Sequence, residues 1–173
     1  MFLQVGSHED VDRYMGLIRA SAAHAHDWIA AFSGDPLHLL SELKFSPIGR
    51  HPVEDRPINL VEQINQTWTY AVALQATRKL LELHPEAGGF NVAPGAHMSL
   101  ELDIMSVATG LVGAETFAAV HPRNNGKLAA DLTKLRGRPE TYRYVFFASP
   151  AYPTSVRLPK LEVEGVQVWS VEL

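Results

Sequence analysis

Apolar side chains set the first expectation. From Glu9 to about Phe32, Val11, Tyr14, Met15, Leu17, Ile18, Ala22, Trp28 and Ile29 recur at mostly helical intervals, and the spacing predicts one helix. A shorter helical stretch follows Asp35-Pro36, with Leu37, Leu39, Leu40 and Leu43. It gives way to Ser46-Pro47-Ile48-Gly49-Arg50-His51-Pro52, a run of turn formers that predicts a surface loop reaching about Arg56 and a plausible place for a lid. Asn59-Leu60-Val61-Glu62 then has the form of a capping box, in which the Asn side chain accepts from the third helical amide and the Glu reaches back. The helix it opens ends at His84-Pro85, and Ile64, Trp68, Ala71, Val72, Gln75, Leu80 and Leu83 form the face expected to pack on a sheet.

After Gly88-Gly89 the period changes from helical to strand-like. Phe90 to Val92 predicts a short strand and Pro94-Gly95 a turn. Leu100, Leu102 and Ile104 alternate with Glu101, Asp103 and Met105, so the first set faces one side of a strand and the acids the other. Val107-Ala108-Thr109-Gly110-Leu111 has the form of a three-residue hairpin loop, with Gly110 free to take the left-handed conformation, and a strand over Leu111 to Val120 follows. Leu128, Leu132 and Leu135 predict a helix over Lys127 to Arg136. Tyr142 to Ala148 predicts another strand, and the tail a hairpin around Glu164-Gly165.

Composition narrows the class. At 173 residues, 46% hydrophobic and 20% charged, the chain can bury a core unaided and is expected to form a single soluble domain. Met1 to Ser7 carries no basic stretch leading into an apolar run, and no eighteen uncharged apolar residues follow one another, so neither secretion nor membrane spanning is expected. The absence of cysteine excludes disulfides and thiolate metal sites and fits a cytoplasmic location. A net charge of −4 argues against a protein that coats nucleic acid over its whole surface. A local basic run remains: Arg123, Lys127, Lys134, Arg136, Arg138 and Arg143 stand against only Asp131 and Glu140, as either a solvated helix face or a phosphate-contacting patch.

Chemistry enters with the hairpin. If Val107 pairs with Leu111, Asp103 lies directly opposite Glu115, with Cβ atoms roughly 5 Å apart. Opposed like charges need a solvated face or a cation between them, and Mg²⁺ suits two carboxylates completed by water and phosphate.

An Asp on one strand, a hairpin, a Glu on the next strand, then the helix opening Asn124-Asn125-Gly126-Lys127-Leu128-Ala129-Ala130-Asp131-Leu132 resembles the core of the restriction-endonuclease-like, or PD-(D/E)XK, nucleases, over about Asn59 to Ala148. The resemblance implies an α/β fold: a restriction-endonuclease-like core of mixed β-sheet flanked by helices over residues 57–173, with an N-terminal helical extension and loop over 1–56. It implies Mg²⁺, or Mn²⁺ in its place, held by Asp103 and Glu115, and hydrolysis of phosphodiesters in nucleic acid. An acidic or amide residue of the preceding helix often joins such sites, which points to Glu62 or Gln66, although Glu62 also serves as the capping-box partner. The family's lysine two residues after the Glu is replaced by Phe117, which cannot polarise water. Lys127, at the start of the next helix, is the basic residue that could take its place, and Arg123, Lys134, Arg136 and Arg138 would contact phosphates. The alternative is a catalytically inactive member of the same fold acting as a binding or assembly module, and a homodimer is compatible with either.

Overall fold

A computed structural model describes residues 2–95 and 100–173. The chain gathers into two compact units, Asp12–Ala71 and, second, Met1–Val11 together with Val72–Leu173. The boundaries fall inside two long helices, α1 (His8–Ala31) and α3 (Leu60–Leu83).

The Asp12–Ala71 unit contains most of α1, helix α2 (Pro36–Phe45), a hairpin of β2 (Gly49–Arg50) and β3 (Pro57–Ile58), and the first half of α3. Asp35 caps α2, its Oδ1 accepting from the amides of Leu37 at 2.8 Å and His38 at 3.2 Å. Asn59 caps α3 as the sequence predicts, accepting from the Glu62 amide at 2.8 Å. The link within the unit is the buried amide of Gln63: its Nε2 donates to the carbonyl and hydroxyl of Ser21, both at 2.9 Å, and its Oε1 accepts from the Arg50 amide at 3.0 Å. That network draws the expected surface loop inward. His51 and Pro52 are buried, and the His51 ring meets Tyr70 edge-on at 5.5 Å. Burial holds the His51 imidazole below its ordinary pKa, which suits a ring whose Nδ1 accepts from the amides of Val53 and Glu54.

The second unit is built on a seven-stranded mixed sheet in the order β1-β4-β5-β6-β7-β9-β8. Its strands are β1 (Leu3–Val5), β4 (Phe90–Val92), β5 (Ile104–Ser106), β6 (Val112–Ala118), β7 (Tyr142–Ala148), β8 (Val156–Arg157) and β9 (Val166–Ser170). From β1 to β6 neighbours run antiparallel, β6, β7 and β9 run parallel, and β8 closes the edge antiparallel. Helix α4 (Lys127–Arg136) connects β6 to β7 and lies against β6, β7 and β9. Leu128, Leu132 and Leu135 bury there against Phe117, Val145, Phe147 and Val168. The opposite face carries Tyr144, Phe146 and Trp169, met by the end of α3 and its flank: Lys79 Nζ sits 5.5 Å over the Trp169 ring and His84 Nε2 lies 2.7 Å from the Tyr144 hydroxyl. Each fully buried Phe or Leu contributes roughly 1.5–3 kcal/mol, so these two layers hold the sheet.

Four expectations change. In α3, Ile64 and Trp68 are about half exposed, while Val72, Ala73, Leu74 and Ala76 are wholly buried, because that stretch is apolar on every side. Residues 100–103 bend rather than form a strand, for a reason seen at the site below. The tail hairpin reduces to one bridge between Val163 and Val166, and β9 pairs instead with β7. Finally, β1 is a strand that the pattern did not predict. Among the described residues no helix is long and apolar enough to cross a membrane.

Candidate functional site

The hairpin register is the one the sequence predicts. Ile104 pairs with Ala114 and Met105 with Gly113, so the next position outward sets Asp103 opposite Glu115. The ladder stops there because Asp103 turns its carboxylate onto the neighbouring strand: Oδ2 accepts from the Thr116 amide at 2.8 Å and its hydroxyl at 2.9 Å. A side chain that satisfies a backbone amide replaces the strand pairing that would have done so. Gly113 lets this segment approach, since Leu102 and Glu140 pack where its side chain would stand.

Both acids are buried rather than solvated, Asp103 at 5% and Glu115 at 2% exposure. The charges that answer them come from α4. Lys134 Nζ lies 2.6 Å from Glu115 Oε1, and Lys127 Nζ lies 3.8 Å from Glu115 Oε2 and 2.6 Å from Asp131 Oδ1. Residues 127, 131 and 134 stand one turn apart, which aligns the three side chains on one stripe of the helix. Burial pushes the carboxyls of Asp103, Glu115 and Asp131 above the ordinary carboxylate range; for Glu115 the neighbouring charge of Asp103 adds to it. Burial opposes the charge of Lys127, but its bond to Asp131 and the nearby acids outweigh that and raise its pKa.

The other residues singled out in the sequence distribute differently. Lys134, expected at the phosphates, is the closest cation to Glu115, and Lys127 is bound first to Asp131. Arg138 is committed to carboxylates: it grips Glu140 through two bonds of 2.8 and 3.1 Å and also pairs with Glu101. Those bonds raise its pKa and hold the Glu140 carboxyl low. Arg123 and Arg136 are exposed and form no ion pair among the described residues. Phe117 stacks on Phe147 at 5.6 Å in the core. Glu62 belongs to the Asp12–Ala71 unit, where Arg56 lies 3.6 Å from it.

Asp131 is the member that sequence reasoning missed. Its signal is positional: with Leu128, Leu132 and Leu135 it completes the buried stripe of α4, and an acid in such a stripe needs a partner. No protein-family model, curated protein or solved structure matches the chain. Its chemistry therefore rests on this geometry. Among the described residues no three His, Cys, Asp or Glu side chains already converge as a metal cage.

Proposed function

We propose that the chain is a metal-dependent phosphodiesterase acting on nucleic acid, built on a restriction-endonuclease-like core. The observation that carries this reading is the opposition of Asp103, just before β5, and Glu115 of β6, both buried and answered by two lysines from the following helix. The chain order supports it: helix α3, the antiparallel strands β4, β5 and β6, helix α4 and the parallel strand β7 follow the succession that the resemblance implies.

The donors suit a hard cation. They are carboxylate oxygens only, and the Thr116 bonds engage one oxygen of Asp103, leaving Oδ1 outside them. Asp103 and Glu115 are the residues that would hold Mg²⁺ or Mn²⁺, each bound through few carboxylates with water and phosphate completing the sphere. When bound, such an ion supplies Lewis acidity toward a phosphoryl oxygen and toward water. Lys134 stands in for the lysine that Phe117 displaces, its ammonium reaching Glu115 from α4. It can orient a water by hydrogen bond and lend positive charge to the phosphate. Lys127, 46% exposed at its side chain, holds a second proton-bearing group at the mouth of the cluster. Arg123 and Arg136 are the exposed cations available to flanking phosphates.

A second reading draws on the same contacts. The Lys134–Glu115 and Lys127–Asp131 pairs neutralise much of the acidic charge within the chain, as a catalytically inactive binding or assembly module would. Incubating the protein with labelled single- and double-stranded DNA and RNA, in Mg²⁺, Mn²⁺ or chelator, separates the two. Metal-dependent cleavage that Asp103→Asn abolishes supports the enzyme; binding without cleavage in any metal supports the module.

A further inference from the structure

Asp131 is the charged group of the cluster that the nuclease resemblance does not use. It is 2% exposed, its Oδ1 takes the Lys127 ammonium at 2.6 Å, and its Oδ2 is buried without a hydrogen-bond partner among the described residues. The Asp131 carboxylate belongs to the same group of charges, since its Oδ1 shares the Lys127 ammonium with Glu115. An unsatisfied buried acceptor costs about 1–3 kcal/mol, more when it is charged, and calls for an explanation such as a bound ion. The Lys127 ammonium lies within reach of both Asp131 Oδ1 and, at 3.8 Å, Glu115 Oε2, which marks a cation position between α4 and β6. With every group ionised, the three carboxylates exceed the two ammonium groups by one negative charge. Lys127 is half exposed, so its ammonium can swing into water when another cation takes its place beside Asp131.

We propose that Glu115 and Asp131 form a divalent-cation site of the Mg²⁺ or Mn²⁺ type, whose position the Lys127 ammonium occupies until the cation displaces it. Exchanging a single for a double positive charge there brings the cluster to neutrality, and a divalent ion can engage both oxygens of the Asp131 carboxylate, the unpartnered one included. Two carboxylates, with water and phosphate in the remaining positions, form an ordinary protein site for Mg²⁺. The inference rests on the phosphodiesterase reading and adds to it a metal ligand on α4.

The test is calorimetric titration of Mn²⁺ into the full chain near pH 7.5, comparing wild type with Lys127→Met, Asp131→Asn and Asp103→Asn, each checked for folding by circular dichroism. Removing a competing unit charge about 4 Å from the ion should tighten binding by roughly tenfold or more in Lys127→Met. Asp131→Asn should weaken it by at least as much. Should Asp131→Asn fail to fold, the double variant Lys127→Met/Asp131→Asn, which leaves neither partner of that pair charged, takes its place and should lose the tightening that Lys127→Met gains. Unchanged or weaker binding in Lys127→Met overturns the inference, as does the absence of Mn²⁺ binding in both it and wild type. If Asp103→Asn abolishes binding and Asp131→Asn leaves it intact, the inference fails while the phosphodiesterase reading survives. If the expected pattern appears but no metal supports cleavage, the site stands and the enzymatic reading falls.

Discussion

Gly113 is where β6 carries the segment that delivers Asp103, and a methyl group there should disturb both. A Cβ at this position would lie 3.0 and 3.3 Å from Cγ and Cδ of Glu140 and would collide with Cδ1 of Leu102. Leu102 is fully buried and the Glu140 carboxylate is clamped by Arg138, so neither side chain can yield into solvent. Overpacking of this kind costs about 1–3 kcal/mol. For a chain of this length each kcal/mol lowers Tm by roughly 2–4 °C, so Gly113→Ala should melt about 6 °C earlier for a cost near 2 kcal/mol. The displaced Leu102 adjoins Asp103, whose bonds to Thr116 should loosen with it. Shortening the struck side chain should relieve the clash: Leu102→Val, costing on the order of 1 kcal/mol alone, should recover stability in the Gly113→Ala background. Urea unfolding followed by tryptophan fluorescence yields the double-mutant cycle, with an expected coupling of about 1–2 kcal/mol in the favourable direction. A Gly113→Ala protein within about 0.5 kcal/mol of wild type, or simple additivity of the two changes, refutes the packing argument.

Further consequences are open to measurement. Arg138 depresses the Glu140 carboxyl, so that group's contribution is present above the ordinary carboxylate pKa and is lost as pH falls through the depressed value. Glu140→Gln should therefore cost about 2 kcal/mol at pH 7, less than a fully broken buried pair because Arg138 keeps Glu101, and the cost should shrink in urea titrations toward pH 3; a pH-independent cost contradicts this. Glu115 has the opposite sign: its carboxyl is raised, so its contribution is present below the ordinary range and is lost as pH rises through the raised value. The thermal stability of Glu115→Gln relative to wild type should improve from pH 4 to pH 8, and a decline over that range would count against the burial account. Tyr144→Phe removes the 2.7 Å bond to the buried His84 and should cost about 1–3 kcal/mol by denaturant titration, since one imidazole nitrogen loses its partner.

Much of the architecture was legible because the pattern that forms each element is local. Helix α4 and strands β4 and β7 occupy the expected residues, since leucines at helical spacing and the β-branched and aromatic run Tyr142 to Ala148 leave few alternatives. Gly110, at φ 74°, takes the left-handed turn that fixes the hairpin register, and with it the opposition of Asp103 and Glu115. What escaped depends on partners distant in the chain. Strand β1 is three residues long and exists by pairing with β4, and β9 pairs with β7, choices that no local period records. The bend at 100–103 follows from one carboxylate preferring the Thr116 amide to a solvated strand face. At the site, the acids were readable and their surroundings were not. Asp131 beside Lys127 has the pattern of a surface ion pair, and only the packing of α4 on β6 buries it next to Glu115.

The most direct test of the account is cleavage of an end-labelled oligonucleotide by the purified full chain in Mn²⁺, in chelator, and with Glu115→Gln in place of wild type. Cleavage that requires the metal and vanishes with Glu115→Gln is the expected result. Equal cleavage by both proteins, or none by wild type under any metal, contradicts a phosphodiester-cleaving site at Asp103 and Glu115.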